Sequence, residues 1–278
     1  MIQSSFHNTP LSTLFFLLTF FLSGPCSTPE DSTLPTLYSE HVEDSFELHI
    51  DLPEGYDPGQ QYSVVFYTDA NLKIGKELRA QIRSGKSAGR LRQVIFVGIG
   101  HMGNYRQLRR RDFIPPVFEN GKYEESEDEL FGHADDFYQF LKLELIPYVE
   151  EQYSSNGRYS FIGHSFGGLF AFYALTQPEP LFVNHIALSP SLWVNYNNYF
   201  SIEEQFHKTG KSPKGYLYHA CGSSEWANKV LSTSRQMSDT IKKRAYPRLE
   251  YEYEEHQGKG HNGMVPVALE YGLENTEF

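Results

Sequence analysis

A chain of 278 residues with 40% hydrophobic residues is long enough to bury one large core. Its formal net charge of -11 argues against a nucleic-acid surface, which would need a basic stripe, and by itself names no partner. The 19 tyrosines and 21 phenylalanines supply bulky core fillers.

The first residues read as a targeting segment. From Leu11 to Leu22 the chain is apolar and uncharged, the length of a signal-peptide core and too short to span a bilayer comfortably. Small residues follow at Ser23, Gly24 and Ser27, so cleavage is expected near Cys26 or Ser27, with no Lys or Arg ahead of the apolar run. Pro25 separates Gly24 from Cys26, which speaks against lipidation. Residues 1–27 are therefore set apart as a signal peptide, with 28–278 as a single domain of an exported protein, periplasmic or secreted, without stable membrane insertion. Such a mature chain keeps only Cys221 and has no internal disulfide.

Phe46 to Ile50 alternates apolar and polar, as a half-buried strand does. Leu52 to Pro58 is a turn cluster, and Tyr62 to Thr68 is a second strand, more fully buried than the first. Asp69-Ala70-Asn71 follows at its carboxyl end, and a helix is expected from Leu72 to Ile82. Val94 to Ile99 is a third, continuous apolar strand of the kind found inside parallel sheets. Strands alternating with helices predict an α/β fold, a mostly parallel central sheet with helices on both faces.

His101 to Gly132 reads as a long loop: a lid, a binding loop or a locally disordered insert. Arg106, Arg109, Arg110 and Arg111 precede Asp112-Phe-Ile-Pro-Pro116, and an acidic run from Glu119 to Glu129 follows. The arginines either receive an anionic substrate or form a solvated, ion-paired cluster. Ala134 to Glu151 reads as an amphipathic helix with Phe137, Phe140, Leu141 and Leu145 on one face, kinked near Pro147.

The organising stretch comes next. A strand ending in Phe161 and Ile162 runs into Gly163-His164-Ser165-Phe166-Gly167, and an apolar helix continues to Leu175. This is the G-x-S-x-G pattern of a nucleophile elbow, with a third glycine at Gly168. A serine at such a turn sits in a strained backbone with its hydroxyl exposed, and its flanking glycines avoid collisions. The helix N-terminus also suits a developing oxyanion. Ser165 is the expected nucleophile.

Phe182 to Leu188 is a further strand, ending in Ser189-Pro-Ser-Leu-Trp193 on the edge where α/β sheets bind ligands. Trp193 is there either a pocket wall or core packing. Gly215 to Ala220 is the next strand, with Gly222-Ser-Ser-Glu225 at its end. A helix follows with Val230, Met237 and Ile241 on one face. In the last strand, Leu249 to Tyr253, the tyrosines are expected inward and Glu250 and Glu252 outward. A glycine-flanked loop, Gly258-Lys-Gly-His261-Asn-Gly, leads to a terminal helix.

A nucleophilic serine needs a base, and the base an orienting acid, which in elbow hydrolases follow in the order Ser, acid, His. His261, just past the last strand, fits the base, although His256 lies closer to the strand. Glu225 fits the acid because it ends the preceding strand, while Glu254 and Glu255 stay open. No metal or organic cofactor is implied: no His/Cys/Asp cluster has ligand spacing, and no phosphate loop is present.

Leu52-Pro-Glu-Gly-Tyr56, Phe66-Tyr-Thr-Asp69, Arg111-Asp-Phe-Ile-Pro115, Glu144-Leu-Ile-Pro-Tyr148, Gly163-His-Ser-Phe-Gly-Gly168, Ser189-Pro-Ser-Leu-Trp193 and Gly260-His-Asn262 together resemble the Putative esterase family of α/β-hydrolases. That family includes siderophore trilactone esterases, feruloyl and acetylxylan esterases, S-formylglutathione hydrolases and mycolyltransferases. The resemblance runs from about Phe46 to Leu273. It implies Ser165 as nucleophile, His261 as base and Glu225 as acid, although some siderophore esterases manage with a Ser-His pair. It further implies an oxyanion hole from the backbone N–H groups of Phe166 and Asn71. Many relatives have Asp-Gly where this chain has Asp69-Ala70. Trp193, Arg111 and His164 are the candidate substrate-binding residues. The implied function is a serine ester hydrolase working through an acyl-enzyme, with a small-molecule ester, including siderophore lactones, as substrate. An acyltransferase, or a binding protein on an inactive hydrolase fold, are the alternatives.

Overall fold

The structure is a computed structural model that describes residues 34–278 except 84–90, 92, 120–121, 125–128 and 226–228. The expected signal peptide lies outside the described residues. Among the described residues the strands are, in chain order, β1 (Thr36–Ser39), β2 (Asp44–Asp51), β3 (Tyr62–Thr68), β4 (Val94–His101), β5 (Val117–Glu119), β6 (Lys122–Glu124), β7 (Ser155–His164), β8 (Asn184–Leu188), β9 (Gly215–Gly222) and β10 (Leu249–His256). Eight of them form one sheet in the order β1-β2-β4-β3-β7-β8-β9-β10, and β5 and β6 pair as a separate hairpin. Only the pairs β1/β2 and β2/β4 in the large sheet are antiparallel; β4, β3, β7, β8, β9 and β10 run parallel. Every residue of β3 and β4 is buried, which is what their unbroken apolar runs predict for central strands covered on both faces.

Among the described residues the helices are α1 (Lys73–Arg83), α2 (Tyr105–Phe113), α3 (Ala134–Phe140), α4 (Ile146–Gln152), α5 (Phe166–Leu175), α6 (Val194–Lys208), α7 (Lys229–Arg244) and α8 (Val265–Asn275), with a π turn at Leu141–Leu145. One face of the sheet packs Phe46, Phe66 and Phe161 against Phe137, Phe140, Leu169 and Phe170. The other packs Val65, Tyr67 and Ile186 against Leu78 of α1 and Val265, Ala268 and Leu269 of α8. Helix α5 is apolar all round, and nine of its ten residues are buried. Truncating one of its phenylalanines to Ala should cost about 3–5 kcal/mol.

Three expectations need correction. The long loop from His101 to Gly132 holds a nine-residue helix, α2, and the β5/β6 hairpin. The arginines therefore stand on a helix. The expected helix over 134–151 is α3, the π turn and α4 in succession, with Pro147 at the start of α4. Pro147 has no N–H to donate back, so the widened π turn falls in the residues just before it. Finally, Glu252 of β10 is not turned to water, because its carboxylate accepts the hydroxyl protons of Tyr216, at 2.9 Å, and of Tyr271. The terminal helix α8 covers that face of the strand.

Three non-glycine residues with left-handed backbone follow directly on three adjacent strands: Asp69 after β3 (φ 63°), Ser165 after β7 (φ 61°) and Ser189 after β8 (φ 42°). Each such conformation costs about 1–3 kcal/mol and persists only where its surroundings hold it.

Candidate active site

Ser165 caps α5 with φ 61° and ψ -115°, the strained turn expected of the elbow. The glycines around it are required by contact. A Cβ on Gly163 would stand 2.0 Å from the Gly167 carbonyl oxygen, and one on Gly167 would stand 2.3 Å from Thr68 Oγ1. The Ser165 N–H donates to the Leu188 carbonyl at 2.9 Å, and its own carbonyl accepts from Leu169 and Ser191, both at 3.0 Å. These bonds pin the serine to both β8 and the segment after it. The Ser165 and Ser191 hydroxyl oxygens lie 3.2 Å apart.

At the carboxyl ends of β9 and β10 the structure brings His261 and Glu225 together. Nδ1–H of His261 donates to Oε2 of Glu225 at 2.8 Å. Oε1 of Glu225 accepts from the Ser189 hydroxyl at 2.5 Å and from the Gly222 N–H at 3.2 Å. Glu225 is only 4% exposed. Burial alone would raise its carboxyl, but the hydrogen bonds from His261, Ser189 and Gly222 outweigh it and hold the group below the ordinary carboxylate range. The loop carrying His261 is clamped to β9: Ser224 N–H donates to the Lys259 carbonyl at 2.9 Å, and a Cβ on Gly222 would stand 2.1 Å from that same oxygen. Only glycine permits so close an approach.

A third segment, after β3, completes the arrangement. The Ala70 N–H donates to Ile99 and the Leu72 N–H to Asp69, while the Asn71 side chain donates to the His101 carbonyl at 2.6 Å. Among the described residues, the Asn71 N–H has no backbone partner. The positive φ falls on Asp69 rather than on Ala70, so the alanine needs no glycine-only conformation. Its methyl group packs instead where a Cβ on Gly98 would come within 2.7 Å of it.

The family described as Putative esterase matches residues 39–263. The chain belongs to this esterase family. It is 27% identical over 245 residues to the ferri-bacillibactin esterase BesA of Bacillus subtilis (strain 168), covering 82% of this chain and 83% of that protein. An IroE-like serine hydrolase from Shewanella oneidensis superposes with a TM-score of 0.74 at 25% identity, over 86% of this chain and 78% of its own. The BES protein from Bacillus cereus shares the fold, with a TM-score of 0.72 at 23% identity, over 89% of this chain and 98% of its own. The protein is thus an ester hydrolase with the α/β-hydrolase fold.

Within this esterase, the sequence-predicted residues separate into two groups. Ser165, Asn71, Glu225 and His261 lie on the loops at the carboxyl ends of the parallel strands, and Phe166 opens α5 at the same edge. Arg111 and His164, expected to touch substrate, are engaged elsewhere. Arg111 donates to both oxygens of Asp112, at 2.6 and 3.1 Å, and to Asp44 at 3.0 Å, so its guanidinium is spent inside the fold. His164 is buried, and its Nε2 meets the His261 carbonyl at 3.0 Å. Trp193 is half-buried at the start of α6, packed against two core clusters with Lys229 Nζ 5.1 Å from its ring centroid.

Arg109, Ser189 and Ser191 were not singled out from sequence. The two serines flank Pro190 at the end of a strand beside the elbow, which is the signal that could have found them. Among the described residues no group of three or more His, Cys, Asp or Glu could hold a metal ion. A groove of about 770 Å³ lined by Arg158, Lys214, Arg248 and Glu250 opens at the amino ends of β7 to β10, the edge opposite Ser165.

Proposed function

We propose that Ser165 is the nucleophile of this esterase, with His261 as its base, Glu225 as the orienting acid and the N–H groups of Asn71 and Phe166 as the oxyanion hole. The observation that carries this reading is the 2.8 Å bond between His261 Nδ1 and the buried Glu225, beside a serine in a strained elbow. That bond puts the proton on Nδ1 and leaves Nε2 as the basic nitrogen. Nε2 takes the Ser165 proton as Oγ attacks the ester carbonyl, and the tetrahedral oxyanion is held by the two N–H groups. The proton then passes to the leaving alkoxide, and water, activated by the same nitrogen, releases the acid. Glu225 stabilises the imidazolium in both steps. Removing one oxyanion donor should raise the barrier by about 3 kcal/mol.

The substrate proposed is a siderophore lactone, and the naming of the Bacillus subtilis relative as a ferri-bacillibactin esterase supports it. Arg106 and Arg110 support this: both are exposed on α2, the helix whose Arg109 reaches the His164 carbonyl, and could meet an anionic iron chelate. The apolar run from Leu11 to Leu22 supports export, with catalysis by the single domain that follows.

Product analysis by mass spectrometry tests the reading, using an iron-loaded trilactone siderophore and a short-chain nitrophenyl ester, each with a Ser165→Ala control. Ser165-dependent opening of the lactone is expected. Turnover of the nitrophenyl ester alone would remove the siderophore assignment. Transfer to added alcohols well above solvent competition would make the protein an acyltransferase, and silence on both substrates would make it a binding protein.

A further inference from the structure

We infer that Arg109 is a positioning residue that sets the spacing of the two oxyanion donors; this rests on the Ser165 and Asn71 reading above. Asp69 holds a left-handed backbone without being glycine, and its carboxylate is 1% exposed. Arg109 grips that carboxylate with a two-pronged fork, Nε to Oδ1 at 2.6 Å and Nη2 to Oδ2 at 3.0 Å. The fork fixes the angle as well as the distance, which a lysine could not do. Asp69 stands two residues before Asn71, so fixing it fixes the direction of the Asn71 N–H.

The same guanidinium also holds the other donor. Its Nη2 lies 3.4 Å from the His164 carbonyl, one residue before the nucleophile. Its carbon lies 5.3 Å from the centroid of the Phe166 ring, one residue after. One side chain therefore spans the Asp69–Asn71 turn and the elbow, the two backbone segments whose N–H groups must converge on a single oxygen. On its far side the Asn71 side chain is tied to the His101 carbonyl, and His101 in turn to the buried Asp112 at 2.8 Å. The turn is gripped from both sides.

The test compares Arg109→Gln, Arg109→Lys, Asp69→Asn and the Arg109→Gln/Asp69→Asn double variant with the wild type on a neutral short-chain ester. It also measures inhibition by a trifluoromethyl ketone, whose serine adduct places an oxyanion in the hole. The expected result is a kcat lowered about a hundredfold in Arg109→Gln and Arg109→Lys, with KM changed by less than about threefold. The ketone Ki should rise by the factor that kcat/KM falls, and the double variant should lose little more than either single one. A folded Arg109→Gln with unchanged kcat, or with lowered kcat and unchanged ketone Ki, overturns the inference. If Arg109→Gln does not fold, the near-isosteric Asp69→Asn decides by the same two readouts. Fluorophosphonate labelling separates the two levels: a wild type that labels at Ser165 while Arg109→Gln keeps full activity sinks the positioning role alone. Ester turnover that survives Ser165→Ala sinks both.

Discussion

The Nε2–H of His164 donates to the main-chain carbonyl of His261 at 3.0 Å, and the two rings stand 4.6 Å apart. A carbonyl only accepts, so this bond selects the Nε2–H tautomer of His164. Burial first, then the neighbouring His261 and Arg109, push its pKa down to about 3, and the ring stays neutral. Burial does the same to His185 and His219, each also pushed down to about 3. The sign follows by linkage. Below about pH 6.5 the unfolded chain takes up protons that the folded chain refuses, so stability is fully present above that pH and lost as it falls towards 3. Each histidine contributes a slope of up to about 1.4 kcal/mol per pH unit. Urea unfolding at steps from pH 7.5 to 5 should show this decline, and His185→Phe should make it shallower. A slope unchanged in that variant would contradict the assignment.

The elbow makes a second prediction about packing. Gly167→Ala should strongly destabilise the protein, because its methyl group would meet Thr68 Oγ1 at 2.3 Å. That hydroxyl is buried and has no hydrogen-bond partner among the described residues, so Thr68→Ala removes the obstacle without leaving a partner unsatisfied. Adding Thr68→Ala to Gly167→Ala should therefore recover much of the lost melting temperature, a non-additivity that calorimetry of the four proteins would measure.

Glu225→Gln preserves shape but removes the charge facing His261. We expect kcat to fall by at least about a hundredfold at neutral pH with the fold intact, since the amide can present its N–H to Nδ1 and select the wrong tautomer. The carboxylate is held below its ordinary range, so its contribution to stability is present above the unfolded carboxyl value and disappears only as pH falls through the lower folded one. Steady-state kinetics and acid unfolding of the variant check the two halves separately. Near-wild-type kcat would favour a Ser-His pair.

For α2, charge reversal gives a sharper answer than removal. Arg106→Glu together with Arg110→Glu should raise KM for an anionic substrate several-fold and abolish its salt dependence, while turnover of a neutral ester stays within about twofold. Equal effects on both substrates would mean that the change had disturbed the helix instead of a binding face.

The parts of the protein that could be read in sequence are those in which neighbouring residues carry the signal. The buried runs of β3 and β4, the glycine spacing around Ser165 and the places of Glu225 and His261 after their strands are of this kind. Helix α2 was missed because Leu108 and Phe113 are its only aliphatic or phenylalanine side chains, too few for an apolar stripe. Arg109 and Arg111 tie it to Asp69 and Asp44, 40 and 67 residues away, and no local window contains those partners. The partners of Arg111 and His164 are hidden for the same reason: sequence shows their chemistry but not the Asp44, Asp112 and His261 groups that they meet. The pairing of Ser189 with Glu225 likewise exists only once β8 and β9 lie side by side.

The left-handed residues after β3, β7 and β8 have a cost that the rest of the molecule carries. If each stores about 1–3 kcal/mol, together they amount to a sizeable fraction of the margin by which a domain of this size stays folded. Ser165→Gly, which removes the hydroxyl proposed as nucleophile and relaxes its backbone, should then melt above both Ser165→Ala and the unaltered protein. Selection for heat resistance alone would drift towards that inert sequence, so a screen for hardier forms of this esterase has to reward turnover in the same round.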